Sequence, residues 1–159
     1  MKRISIIFLQ AVIVLIGIVA LIILIQFPLT EGRARNLGMF SIYADPFILY
    51  GYASSIAFFV GLYEAFKLLA NIKQNQLFSQ NSVRTLKSMK YCTIILGSLI
   101  AVAGLFIMIF HNKDDDPAGF LAMCIITTFI ATAIATALAV LERILQNAVD
   151  MKTENDLTI

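Results

Sequence analysis

Four long apolar runs alternate with short polar stretches along this chain. The first, Ile4–Phe27, is broken by Ser5, Gln10 and Gln26; the others are Pro46–Leu69, Tyr91–Phe110 and Pro117–Leu141. Crossing the hydrocarbon core takes about 20 apolar residues in a helix. Backbone N–H and C=O groups in lipid must be bonded within the chain, so each run predicts a helix. The pattern therefore predicts an all-α membrane protein. It has one domain over residues 1–159, with spans at about 4–27, 46–69, 91–110 and 117–141. An inner loop falls at 70–90 and a tail at 142–159.

Composition agrees. The chain is 60% hydrophobic and 14% charged, where soluble domains are nearer half apolar and a quarter charged. A net charge of +2 does not imply nucleic acid, so the position of the charges carries the information. If both termini share one side, that side holds Lys2, Arg3, Lys67, Lys73, Arg84, Lys87, Lys90, Arg143 and Lys152, which is nine. The other holds Arg33, Arg35 and Lys113, which is three. Lys and Arg accumulate on the cytoplasmic side, so both termini and the 70–90 segment are expected inside a bacterial cytoplasmic membrane. The first run has 24 residues, against about 7–15 for a signal-peptide apolar core, and is read as a retained span.

Two boundaries are marked by Asp-Pro, at Asp45-Pro46 and Asp116-Pro117. Asp caps free N–H groups and Pro at the first helical position loses no hydrogen bond. Spans in lipid associate through small residues. Ala53, Ala57, Gly61 and Ala65 line the second run, Gly97, Ala101 and Gly104 the third, and Ala131, Ala135 and Ala139 the fourth, beside Thr128, Thr132 and Thr136. The first run is Ile, Leu and Val and is expected to face more lipid. These stripes suit a monomeric four-helix bundle, or contact with a second copy or a partner subunit. The segments "LYEAFKLLANIKQNQLF" and "VLERILQNAVDMKTENDLTI" echo each other weakly, as a parallel repeat would. Cys92 falls at one membrane face and Cys124 about 10 Å in from the other at 1.5 Å of rise per residue, so no bridge is expected between them.

"KQNQLFSQNSVRTLKSMKY", residues 73–91, is polar and basic between apolar neighbours. Ser79 is placed to cap a helix starting near Gln80. Val83 and Leu86 share one face, with Arg84, Lys87 and Lys90 beside it. This predicts a short amphipathic helix on the inner membrane surface, feeding into the third span. Lys73, Arg84, Lys87 and Lys90 are thus candidate contacts for anionic inner-leaflet headgroups, at roughly 1 kcal/mol each, or for a cytoplasmic partner. No aromatic interleaving or binding motif supports direct nucleic-acid contact.

Chemistry is sparse. Ionisable groups within a span flag function, and Glu64 and Lys67 qualify, spaced to form an intramembrane ion pair. The threonine line at 128, 132 and 136 is the nearest approach to a polar pore face. Asp114-Asp115-Asp116 reads as a solvated turn and cap, since calcium takes about six to eight spaced oxygens. His111 has no catalytic neighbour in sequence. No nucleophile, phosphate-loop or zinc pattern is present, so neither enzymatic activity nor a cofactor is expected. The outer loop, Leu29–Asp45, reads as an interfacial connector.

"LFSQNSVRTLKSMKY" and the terminal "ENDLTI" resemble a bacterial membrane family catalogued as domain of unknown function 2975. Phe78, Ser79, Asn81 and Leu86 carry the inner-loop pattern. Glu154, Asn155, Asp156, Leu157, Thr158 and Ile159 carry the tail. The resemblance implies a small multi-pass protein, often encoded beside a helix-turn-helix regulator of the Cro/C1 type. Two functions follow: a non-catalytic regulatory or sensory partner of such a cytoplasmic protein, or a small transporter or channel subunit using Glu64 and the threonine line.

Overall fold

The computed structural model of the chain describes residues 2–30, 46–110 and 117–157. Within them it forms helices α1 (Lys2–Thr30), α2 (Pro46–Lys73), α3 (Gln80–Phe110) and α4 (Ala118–Leu157). All four are long and apolar enough to cross a membrane. Helix α2 starts at Pro46, where the Asp-Pro signal places it. At the second such signal, Leu121 N–H already donates to the Pro117 carbonyl at 2.9 Å. The capping carboxylates Asp45 and Asp116, residues 31–45 of the outer loop, His111 and the triple-Asp turn lie outside the described residues, while Leu29 and Thr30 end α1.

Helices occupy most of the 70–90 segment and continue through the tail to Leu157. Helix α2 runs on to Lys73 and α3 begins at Gln80, so the connection is residues 74–79. No separate surface helix precedes the third span: residues 80–90 are the first three turns of α3 itself. Nor is residue 142 a helix end. With 31 and 40 residues, α3 and α4 are about 46 and 60 Å long at 1.5 Å per residue. Both exceed the roughly 30 Å of hydrocarbon. The α2–α3 connection marks what is here called the hairpin end, where α4 runs alongside the first turns of α3.

Neighbours in sequence are neighbours in space, and α3 with α4 makes the most extensive interface. Its seam on α4 is Cys124, Thr128, Ala131, Ala135, Leu138, Glu142, Leu145 and Val149. The spacing alternates four and three, as in antiparallel coiled-coil packing. Away from the hairpin the seam is closed by small residues. A methyl group added at Gly97 would lie 3.1 Å from the Ala131 Cβ, and one at Gly104 3.2 Å from the Cys124 Cβ. Towards the hairpin end, larger side chains take over. Val83 and Leu86 of α3 pack with Leu138, Leu145 and Val149 of α4, and Leu68, Leu77 and Met89 border this cluster. The Val83/Leu86 face, expected against lipid headgroups, is therefore buried against α4.

Helix α2 packs on α3, with Cys92 beside Gly61 and Tyr50 Oη donating to the Leu99 carbonyl at 2.7 Å. Helix α1 packs on α2, where Tyr52 Oη donates to the Leu24 carbonyl at 3.1 Å. None of the described side chains of α1 is fully buried, as expected of a helix facing lipid. Ala53, the first member of the α2 small-residue stripe, is also exposed.

Because Gly97 has almost no spare room, Gly97→Val should overpack the seam and lower stability by about 1–3 kcal/mol. Gly119→Val, where an added Cβ meets nothing within 4 Å, should be near neutral. Thermal unfolding in detergent separates the two.

Candidate functional site at the hairpin end

The hairpin turn is built from local hydrogen bonds. Asn75 has φ 58°, a left-handed conformation that ends helices. Gln76 N–H then donates to the Asn71 carbonyl at 2.9 Å, and Asn75 N–H to that of Ile72 at 3.1 Å, which is a Schellman C-cap. Ser79 caps α3: its Oγ accepts from Ser82 N–H at 3.3 Å. Ser82 is fully buried and Thr85 nearly so. Ser82 Oγ donates to the Gln76 carbonyl at 3.0 Å and accepts from Asn71 Nδ2 at 3.4 Å. Thr85 Oγ1 donates to the Asn81 carbonyl at 3.0 Å. With its inward hydroxyls satisfied, the turn fixes how α3 is rotated.

That rotation separates the four basic residues grouped by sequence. Arg84 and Lys87 are exposed, as are Gln80, Asn81 and Lys73. Lys73 ends α2, where a cation meets the negative end of the helix dipole. Arg84 and Lys87, with Gln80, Asn81, Glu142 and Gln146, line an open polar cavity of about 420 Å³ between α3 and α4. Lys90 is different. Its Nζ bonds Glu142 Oε2 at 2.5 Å across the α3–α4 seam. The two side chains are 20% and 18% exposed. Lys90 is thus drawn out of the exposed cationic face by a partner that sequence reasoning did not name. A signal existed: Lys90 directly precedes the third span and Glu142 directly follows the fourth. Opposite charges at the same end of consecutive antiparallel spans can meet.

Glu64 and Lys67 approach to 3.8 Å on α2, with side-chain exposures of 16% and 40% respectively. Glu64 Oε2 is buried and has no hydrogen-bond partner. Along the threonine line, Thr132 and Thr136 donate to the carbonyls of Thr128 and Thr132 at 2.9 and 2.8 Å. Their hydroxyl protons are therefore used by their own helix. Among the described residues, no three His, Cys, Asp or Glu side chains gather where they could hold a metal.

A helical chain with four membrane-length spans and a structured polar end is a multi-pass membrane protein. It belongs to the family described as "Protein of unknown function (DUF2975)", matched over residues 7–159. It is 37% identical over 161 residues, covering 100% of both chains, to a protein of Bacillus subtilis (strain 168) described as "Uncharacterized membrane protein YoaS". No solved structure matches it.

Removing Glu142 leaves the Lys90 ammonium unpaired in the seam, so Glu142→Ala should cost about 1–3 kcal/mol. The exchanged pair Lys90→Glu with Glu142→Lys should recover most of that loss. A double-mutant cycle followed by thermal unfolding measures the coupling; additive losses would show that the pair contributes nothing.

Proposed function

We propose that this protein is a non-catalytic regulatory or sensory partner at the bacterial cytoplasmic membrane. It presents its hairpin end, with both termini, to a cytoplasmic protein. One observation carries this reading: α3 and α4 extend beyond membrane length as a packed pair, with Arg84 and Lys87 exposed on its surface. A topology anchor needs charge but no rigid shape. A preformed surface with fixed cations loses less entropy on docking than a loose loop would. The charge count of nine against three supports placing this end inside. A small helix-turn-helix regulator, of the kind the family resemblance implies, is the occupant this reading expects. It would dock by protein contact, with no direct part for nucleic acid. Lys73, Arg84 and Lys87 would also lie near anionic inner-leaflet headgroups, and that contact alone is the plainer alternative.

A transporter or channel role has in its favour two buried side-chain oxygens without a hydrogen-bond partner: Glu64 Oε2 in α2, 3.8 Å from Lys67 Nζ, and Thr128 Oγ1 in the threonine line of α4. An intramembrane carboxylate is a default functional flag. Solute flux in proteoliposomes that disappears in Glu64→Gln would support it.

In the docking reading, Arg84→Glu with Lys87→Glu should reduce co-purification of the partner from detergent by about tenfold or more, while membrane insertion is unchanged. Equal capture by the variant would remove the basis for the reading. For orientation, an engineered cysteine at Asn81, in a background lacking Cys92 and Cys124, should resist an impermeant thiol reagent applied to intact cells. Asn81 is the appropriate position because its neighbour Ser82 is buried. Labelling from outside would reverse the topology.

A further inference from the structure

Away from the hairpin end, all four helices contribute to one apolar crevice of about 530 Å³. It runs along α2 from Phe47 to Phe59, with α1 contributing Leu24, α3 Ile100 and α4 Phe120. Phe47 and Phe120 stand 5.7 Å apart, centroid to centroid, and join α2 to α4 at its far end. We propose that this crevice is a binding site for one hydrocarbon chain, the acyl chain of a bilayer phospholipid.

Three observations select that occupant. The first is polarity. Five hydroxyls line the crevice, and each donates to a backbone carbonyl. Tyr50 bonds Leu99 and Tyr52 bonds Leu24. Ser54 bonds Tyr50 at 2.8 Å, Ser55 bonds Tyr52 at 2.7 Å, and Thr127 bonds Met123 at 2.7 Å. No hydroxyl proton is left to orient a polar ligand, whereas an alkyl chain needs none. The second is shape. From Phe47 to Phe59, twelve steps of 1.5 Å rise make the crevice about 18 Å long, an elongated form that suits an extended chain. The third is location. The crevice lies within the membrane-length part of the helices, so the medium at its mouth is hydrocarbon. Helix α1 packs on α2, and α4 on α3. The α2–α3 interface joins these two pairs, and a seated chain fills the crevice left beside it.

Gly51 provides the test, because it lines the crevice and an added Cβ there meets nothing within 4 Å. Gly51→Phe therefore adds a ring at a position of the crevice lining where the Cβ itself meets no clash. Gly119→Phe places the same ring at another open position that does not line the crevice. The full chain is reconstituted in phosphatidylglycerol vesicles containing a trace of phospholipid with a diazirine on its acyl chain. Photolabelled peptides are then mapped by mass spectrometry. Labelling of 47–59 and 120–127 should exceed that of the outward face of α1. It should fall several-fold in Gly51→Phe and stay unchanged in Gly119→Phe. A stoichiometric phospholipid should also survive purification of the wild type in mild detergent and be lost from Gly51→Phe. Even labelling around the perimeter, undiminished labelling in Gly51→Phe, or crevice peptides crosslinked to a second copy would each overturn the proposal. So would purified wild-type protein without retained lipid.

Discussion

The α3–α4 seam is the contact on which the fold is organised, and it works by two different forces along its length. Between Gly104 and Gly97 the opposing residues are Cys124 and Ala131, and backbones approach closely. In lipid, apolar side chains gain nothing by leaving their solvent, so association depends on dispersion and close fit. From Leu86 and Val83 onward the opposing residues are Leu138, Leu145 and Val149. Such side chains pull helices together where water is the alternative. The change from small to large residues therefore marks a change of surroundings. Lys90 and Glu142 sit at that change. An ion pair at this level keeps both partners close to headgroups and water, and a register slip of either helix would separate them.

Everything at the hairpin end inherits its direction from this seam. The Schellman cap at Asn75 and the Ser79 N-cap reverse the chain within residues 74–79. The buried Ser82 and Thr85 turn the hydroxyl edge of α3 inward beside Val83 and Leu86, which leaves Arg84 and Lys87 outward. At the opposite margin, α1 has no such anchor. It is held by the Tyr52 hydrogen bond and comes near α2 at Gly17, where an added Cβ would lie 3.8 Å from Leu62 Cδ1, with most of its large side chains exposed. The bundle is strongest at α3–α4 and loosens towards α1, and the crevice opens where those two regimes meet.

The sequence made the four helices legible because length and apolarity are what a bilayer selects. It also marked the start of α2 at Pro46 and the cap at Ser79, since both depend on immediate neighbours. It placed the Val83/Leu86 face against lipid and left residues 142–157 without a facing helix for one shared reason. An apolar face such as Val83/Leu86 shows that some apolar phase covers it, but not whether that phase is lipid or another helix. The covering helix was itself obscured: the amides and charges after Leu141 hide Leu145 and Val149, which continue the four–three spacing of the span. Glu142 was missed by the same step, because a residue assigned to a tail has no facing partner. The crevice was not readable at all, since it depends on which helices fail to meet.

On the proposed topology, Lys90 has two successive duties. Orientation is set by Lys and Arg flanking the early spans, and acidic residues count for little in it. At that stage Lys90 acts as a free cation, because Glu142 lies at the far end of the last span. Once α4 is in place, Glu142 bonds Lys90 and the charge becomes internal. What the finished surface offers is then Lys73, Arg84 and Lys87 on one side, with Asp150 on the adjacent α4 bonded by Gln146. On the docking reading, a partner meets these cations beside the exposed Arg143, Asp150, Lys152 and Glu154 of α4, and so is selected by charge arrangement as well as by sign.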